Sequence, residues 1–113
     1  MTRPALSRAL AVAFMVGLAP AVACAEGDPE AGRKKAEPCA ACHGQNGLSI
    51  AEVWPNLAGQ KRGYLVKQMR AFRDGTRKDP IMSSFAERLT DQDIDDLAAF
   101  YSQLASGVSK PGW

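Results

Sequence analysis

The stretch Cys39-Ala40-Ala41-Cys42-His43 constrains this chain more than any other. Two cysteines separated by two residues lie about one helical turn apart, and a histidine follows at once. At that spacing each thiol can add across one vinyl group of a haem to form a thioether. The next residue then falls beneath the iron, where a neutral imidazole nitrogen serves as an axial ligand. Two other chemistries also use paired cysteines. A structural zinc site needs four ligands, and the chain offers Cys39, Cys42 and one histidine with no second cysteine pair. A thioredoxin-like redox pair expects a βαβ setting, which the sequence does not provide.

The first 25 residues read as a separate unit. Arg3 and Arg8 form a short positive region, and Ala9 to Val22 is an alanine-rich apolar run broken by Gly17 and Pro20. Small residues at Ala21, Ala23 and Ala25 match what a signal peptidase reads, after Ala23 or after Ala25. The run is short for a membrane span, which favours a cleaved leader over an anchor. Cleavage after Ala25 removes Cys24 and leaves no stray thiol in an oxidising compartment. The rival is lipidation of Cys24, but the leucine usual three residues before a lipidated cysteine is missing. Residues 1–25 are therefore expected to be a signal peptide and 26–113 the functional domain.

Removing the leader leaves 88 of the 113 residues, with 12 basic against 12 acidic side chains. The whole-chain charge of +2 comes from the leader and is no argument for nucleic acid binding. A domain this small buries a modest core and gains from a metal, a disulfide or a cofactor. With Cys39 and Cys42 committed to haem, that group would itself supply much of the apolar core.

Asp28-Pro29-Glu30 is a helix start, with Asp as N-cap and Pro at the first helical position, predicting a helix from about Pro29 to Cys42 that Pro38 disturbs. Gly32 inside it costs helix stability unless another helix approaches closely there. Gly44 to Gly47 reads as a turn, and Leu48 to Gly59 as a loop over something apolar. A second helix is expected from about Gly63 to Arg73, with Leu65, Met69 and Phe72 on one face and Asp74-Gly75 at its end. Arg77 to Glu87 reads as a loop. Thr90 with Asp93 forms a capping box for a last helix ending near Ser106-Gly107, whose apolar stripe is Ile94, Leu97, Ala98, Tyr101, Leu104 and Ala105. No strand, repeat or low-complexity segment is evident. The domain reads as all-α.

Taken in order, these features resemble a class I c-type cytochrome of the small single-haem bacterial kind, similar to cytochrome c-553 and to one half of the two-haem cytochrome c4. The carriers are Gly32, the pentad with Gly44, Pro55-Asn56-Leu57-Ala58-Gly59-Gln60, Tyr64-Leu65 with Gln68, Pro80-Ile81-Met82, and Leu89 to Ile94 through Tyr101. The resemblance implies a fold of about three to five helices wrapped around one haem held by Cys39 and Cys42. His43 would be the proximal ligand and Met82 the distal one. Pro55 would offer its carbonyl to the other ring nitrogen of His43, and Leu57 would line the cofactor. Gly32 would meet the last helix against Leu97 and Tyr101. Many relatives carry an aromatic residue four positions after that glycine; here it is Ala36, which implies a looser crossing.

Met82 follows a proline in a polar loop, whereas Met69 lies on an apolar helix face and reads as core packing. Trp54 and Phe85 read as packing in the haem pocket. Trp113, near the terminus, is assigned no role. Lys61, Arg62, Lys67, Arg70, Arg73, Arg77 and Lys78 cluster in mid-chain and the acids concentrate at Asp91 to Asp96. This is a solvated surface or a dipole that steers the molecule to an acidic partner. With both axial positions filled, the iron exchanges one electron and binds no substrate. The expected function is a periplasmic electron carrier, monomeric, not an enzyme, docking transiently to redox proteins and not inserted in a membrane once cleaved. The alternatives are a haem-based ligand-binding protein, which needs Met82 off the iron, or the electron-entry subunit of a periplasmic oxidoreductase.

Overall fold

The structure, a computed structural model, describes residues 1–2, 11–18 and 26–107. The expectations at Cys24 and Trp113 and the cleavage sites lie outside these residues. Residues 11–18 carry no regular secondary structure and are exposed.

Asp28 starts the first helix as its sequence predicts. Its side chain accepts from the Glu30 N–H at 2.9 Å, and α1 runs Pro29–Lys35. The expected continuation to Cys42 is divided. Pro38 has no N–H to give an α-helical ladder, so the chain tightens into a 3-10 turn at Glu37–Cys39, with Cys39 N–H donating to Ala36 O at 2.9 Å. It then resumes as α2, Ala40–His43. The second long helix, α3, spans Arg62–Asp74, one residue beyond the expected span at either end.

The segment 77–87, read as a loop, contains a helix, α4, at Met82–Ala86. Asp79 makes it. Its Oδ1 accepts from Ile81 N–H (2.9 Å) and Met82 N–H (2.8 Å), while its own N–H donates to Ser83 Oγ at 3.1 Å. Asp79-Pro80 repeats the Asp28-Pro29 signature, so the signal was present in the sequence. The last helix, α5, spans Asp91–Gln103 with the predicted Thr90–Asp93 capping box complete. It stops short of Ser106. The Tyr101 carbonyl accepts from Gly59 N–H at 2.9 Å, and Leu104 turns out into extended backbone. Ala105, placed on the apolar stripe, is exposed as a result.

The described residues thus hold five α-helices and one 3-10 turn, with no strand. None of these helices is long and apolar enough to cross a membrane. α1 packs chiefly on α5, α5 also on α3, and α3 on α4. Ala36, Leu65, Leu97, Ala98, Phe100 and Tyr101 form the buried cluster.

Gly32 does mark the crossing of α1 and α5, but its register differs from the expectation. A Cβ there would lie 2.0 Å from Asp96 O and 2.8 Å from Phe100 Cβ, so the contact row is Asp96 and Phe100 rather than Leu97 and Tyr101. Asp96 and Phe100 are four apart and form one ridge of the helix, into which the bare glycine backbone settles. Phe100, missing from the predicted stripe, is buried in consequence. The looser crossing expected from Ala36 is not seen, since Ala36 is itself buried in the cluster.

Polar contacts fasten the same crossing. Asp96 is only 3% exposed and accepts from Asp28 N–H (2.8 Å), Lys35 Nζ (2.6 Å) and Gln92 Nε2 (2.8 Å). Burial alone would push its carboxyl up, and these three donors outweigh it, so its affinity for protons is lowered. Lys35 also meets Asp93 at 2.8 Å, and with the Thr90 N–H this holds Asp93 down to about 2. Both carboxylates are easier to ionise folded than unfolded. Their stabilisation is present above the unfolded carboxylate value near 4 and disappears as pH falls through the folded values. The holoprotein's unfolding midpoint is therefore expected to drop between about pH 4 and 2. Asp93→Asn should reduce that drop by about 1 kcal/mol, the pair being partly screened by solvent. A midpoint as acid-sensitive in Asp93→Asn as in the wild type would exclude this linkage.

The charge pattern is more neutralised than the sequence suggests. Arg62 pairs with Asp95 (3.6 Å), while Arg70 (3.6 Å) and Arg73 (2.9 Å) share Asp91. The acids of α5 thus face bases of α1 and α3 rather than forming an opposite free pole. Arg77 stacks over Phe72 at 4.4 Å. Lys61, Lys67, Arg77 and Lys78 make no ion pair among the described residues.

Candidate functional site

The 3-10 turn and α2 place Cys39, Cys42 and His43 on consecutive turns of a short helical stretch. Both cysteines are half-buried and form no disulfide. Burial raises the Cys39 thiol above its ordinary value. Gly44 ends α2 directly after His43. Its φ of 76° suits glycine, and a Cβ there would sit 2.1 Å from Leu48 O, so no other residue lets the chain turn away so sharply.

The turn starts a loop that closes on itself. The Gly47 carbonyl accepts from Leu57 N–H (2.8 Å) and Ala58 N–H (3.0 Å), and Ser49 N–H donates to Asn56 Oδ1 at 2.7 Å. This closure returns Pro55 to the pentad, where its carbonyl lies 2.8 Å from His43 Nδ1. A carbonyl only accepts, so the contact keeps the proton on Nδ1 and leaves the Nε2 lone pair available to a metal. His43 is 6% exposed, so little water competes for that bond. Leu57 and Cys39 both pack against the buried cluster.

Met82 stands on a separate element. It is half-buried at the first position of α4, its N–H held by Asp79. Among the helical elements α2 meets only the 3-10 turn before it and α4 only α3, so no helix packing joins α4 to α2. Met69 packs against the core cluster, consistent with a structural role.

Large apolar side chains are left uncovered in these segments. Ile50 is 91% and Val53 81% exposed, and Tyr64, Ile81 and Phe85 are about half exposed. Ile50 and Val53 of the loop 48–57 are therefore not covered by protein, although Leu57 at its end is, and Phe85 does not pack into the chain's own core. Trp54 is half-buried. Among the described residues no three His, Cys, Asp or Glu side chains gather as a metal cluster, which leaves zinc without a ligand set.

The donor set and the surroundings fit a haem. Two thiols at the attachment spacing, an imidazole with a free Nε2, a thioether on a separate element and uncovered apolar side chains are what a planar apolar iron macrocycle requires. One buried polar atom is also unpaired: Tyr101 Oη on α5 has no hydrogen-bond partner among the described residues. The sequence reading placed Tyr101 in an apolar stripe and missed this feature, because periodicity reports the face of a helix and not what its hydroxyl meets.

The chain is similar to known proteins. The cytochrome c family model matches residues 29–105. Cytochrome c-554(548) of Halomonas halodenitrificans is 46% identical over 79 residues, covering 67% of this chain and 95% of that protein. Cytochrome c4 of Pseudomonas aeruginosa is 43% identical over 89 residues, 77% of this chain and 44% of that protein. The crystal structure of reduced recombinant cytochrome c4 from Pseudomonas stutzeri superposes with a TM-score of 0.69 at 40% identity, over 73% of this chain and 48% of that one. The chain thus spans nearly all of the first relative and less than half of the cytochrome c4 proteins. It belongs to the cytochrome c family, an all-α domain that binds haem c covalently through Cys39 and Cys42.

Proposed function

We propose that this chain is a periplasmic one-electron carrier whose low-spin haem c is ligated by His43 and Met82. The observation that carries the reading is the 2.8 Å contact between His43 Nδ1 and the Pro55 carbonyl, which orients the ring so that Nε2 is the nitrogen left for a metal. When bound, the haem supplies a one-electron iron couple. The chain's own residues do the rest. Cys39 and Cys42 hold the group, and the Gly47-closed loop keeps Pro55 on His43. Asp79 fixes the backbone of Met82, whose soft thioether favours the reduced iron. The burial of His43 excludes water from the proximal side. With both axial positions taken there is no place for substrate.

Export supports the location: residues 1–25 have the composition of a cleaved leader, leaving 26–113 as a monomer in the periplasm. Mass analysis of the mature N-terminus is expected to show cleavage after Ala25, and an acylated Cys24 would instead establish a lipid tether. Partners are redox proteins that dock transiently through a small interface. The decisive test uses protein expressed with haem-maturation machinery, recording oxidised and reduced spectra and then adding carbon monoxide. A weak iron–sulfur charge-transfer band and no carbon monoxide binding are expected. Ready binding with that band absent would replace the carrier with ligand chemistry at an open iron.

A further inference from the structure

Met82 sits on the helix with the least support. Among the helical elements α4 meets only α3, so the place of Met82 depends on how the chain around it is fastened to that one helix. Downstream the fastening is clear. Ala86 is fully buried, its carbonyl accepts from Leu89 N–H at 3.0 Å, and the Leu89 carbonyl accepts from Arg73 at 3.2 Å.

Upstream the chain leaves α3 at Gly75 and is caught again by Arg77. The Arg77 N–H donates to Ala71 O at 3.0 Å. Its guanidinium lies over the Phe72 ring, 4.4 Å from the centroid, and its Nη1 donates to Gln68 Oε1 at 2.7 Å. Gln68 and Phe72 are four residues apart and so neighbours on one face of α3, and the planar guanidinium meets both at once. Asp79 then bonds to Ile81, Met82 and Ser83, within its own segment. From residue 77 to residue 81, Arg77 is thus the one side chain hydrogen-bonded to α3 among the described residues. Phe72 is buried, whereas Arg77 is exposed, so this fastening can open without opening the core.

We propose that Arg77 is a positioning residue for the distal ligand: by pinning the chain to α3 ahead of α4, it holds Met82 at the iron and keeps the iron closed to other ligands. The proposal rests on ligation by Met82. An outside ligand reaches the iron only in the fraction of molecules in which Met82 has moved away, and its apparent affinity is reduced by that fraction. Losing one cation–π contact and one hydrogen bond from a charged donor at an exposed site multiplies the open fraction by about ten.

The test is an imidazole titration of the oxidised holoprotein, followed on the iron–sulfur band. In Arg77→Ala the imidazole concentration that removes half the band is expected to fall about tenfold. Gln68→Ala should give a smaller fall, and the double variant should match Arg77→Ala, because Gln68 acts through Arg77. Lys78→Ala, which removes the neighbouring exposed charge, should leave the concentration unchanged. The unfolding temperature of Arg77→Ala should fall only slightly. An unchanged imidazole concentration in Arg77→Ala, with or without a loss of stability, would overturn the role, as would an equal fall in Lys78→Ala. A wild type that shows the band beside an unshifted Arg77→Ala rejects Arg77 alone. A wild type without the band, taking up imidazole as readily as Met82→Ala, rejects Met82 ligation and the proposal with it.

Discussion

Met82→Ala is expected to convert a closed iron into an open one. The variant should keep its covalent haem, because attachment depends on Cys39 and Cys42, far along the chain from α4. It should lose the iron–sulfur band and bind carbon monoxide on mixing, where the wild type does not. Its reduction potential should fall on the order of 0.2 V, a fraction of the roughly 0.8 V that axial ligands span. The direction follows from the thioether's preference for reduced iron. Met69 is the internal comparison, since it packs in the core, and Met69→Leu should leave the spectrum intact while lowering stability slightly. A Met82→Ala protein that retained the band and excluded carbon monoxide would remove Met82 from the iron.

Gly32→Ala is expected to destabilise the fold strongly. Two effects oppose each other. Alanine is the better helix former by about 1 kcal/mol. Against this, the new Cβ would lie 2.0 Å from Asp96 O, 2.6 Å from Asp96 C and 2.8 Å from Phe100 Cβ. The nearest of these atoms belong to helix backbone and cannot swing aside, so α1 and α5 must separate. Separation also loosens the bonds from Asp28 and Lys35 to Asp96. Overpacking of this kind costs about 1–3 kcal/mol, and weakened burial of Asp96 adds to it, so the net loss is about 2 kcal/mol or more. For a domain of this size that is a fall of roughly 10 °C in unfolding temperature. Calorimetry or circular dichroism on the holoprotein would measure it. An unchanged or raised midpoint would show that the two helices are not in contact at Gly32.

What the sequence could state by itself was set by short-range chemistry. The pentad is legible because its three functional side chains lie within five residues, at a spacing that chain geometry alone converts into one attachment surface. Asp28-Pro29 and Thr90 with Asp93 are legible because a cap bonds to backbone two or three residues away. Asp79-Pro80 belongs to the same class, and α4 was missed because a five-residue helix leaves no hydrophobic period to notice.

The tertiary structure decided everything that depends on register between distant segments. The apolar stripe of α5 named the right face, but only packing selects which ridge meets Gly32, and it selected Asp96 and Phe100 over Leu97 and Tyr101. The same one-residue difference turns Asp96 from a dipole-stabilising surface acid into a buried acceptor of three hydrogen bonds. It also leaves the Tyr101 hydroxyl buried in the core with no hydrogen-bond partner among the described residues. Periodicity repeats every turn and so fixes a helix's face without its phase against another helix. Close packing supplies that phase, because bulky and bare positions interlock in only one way.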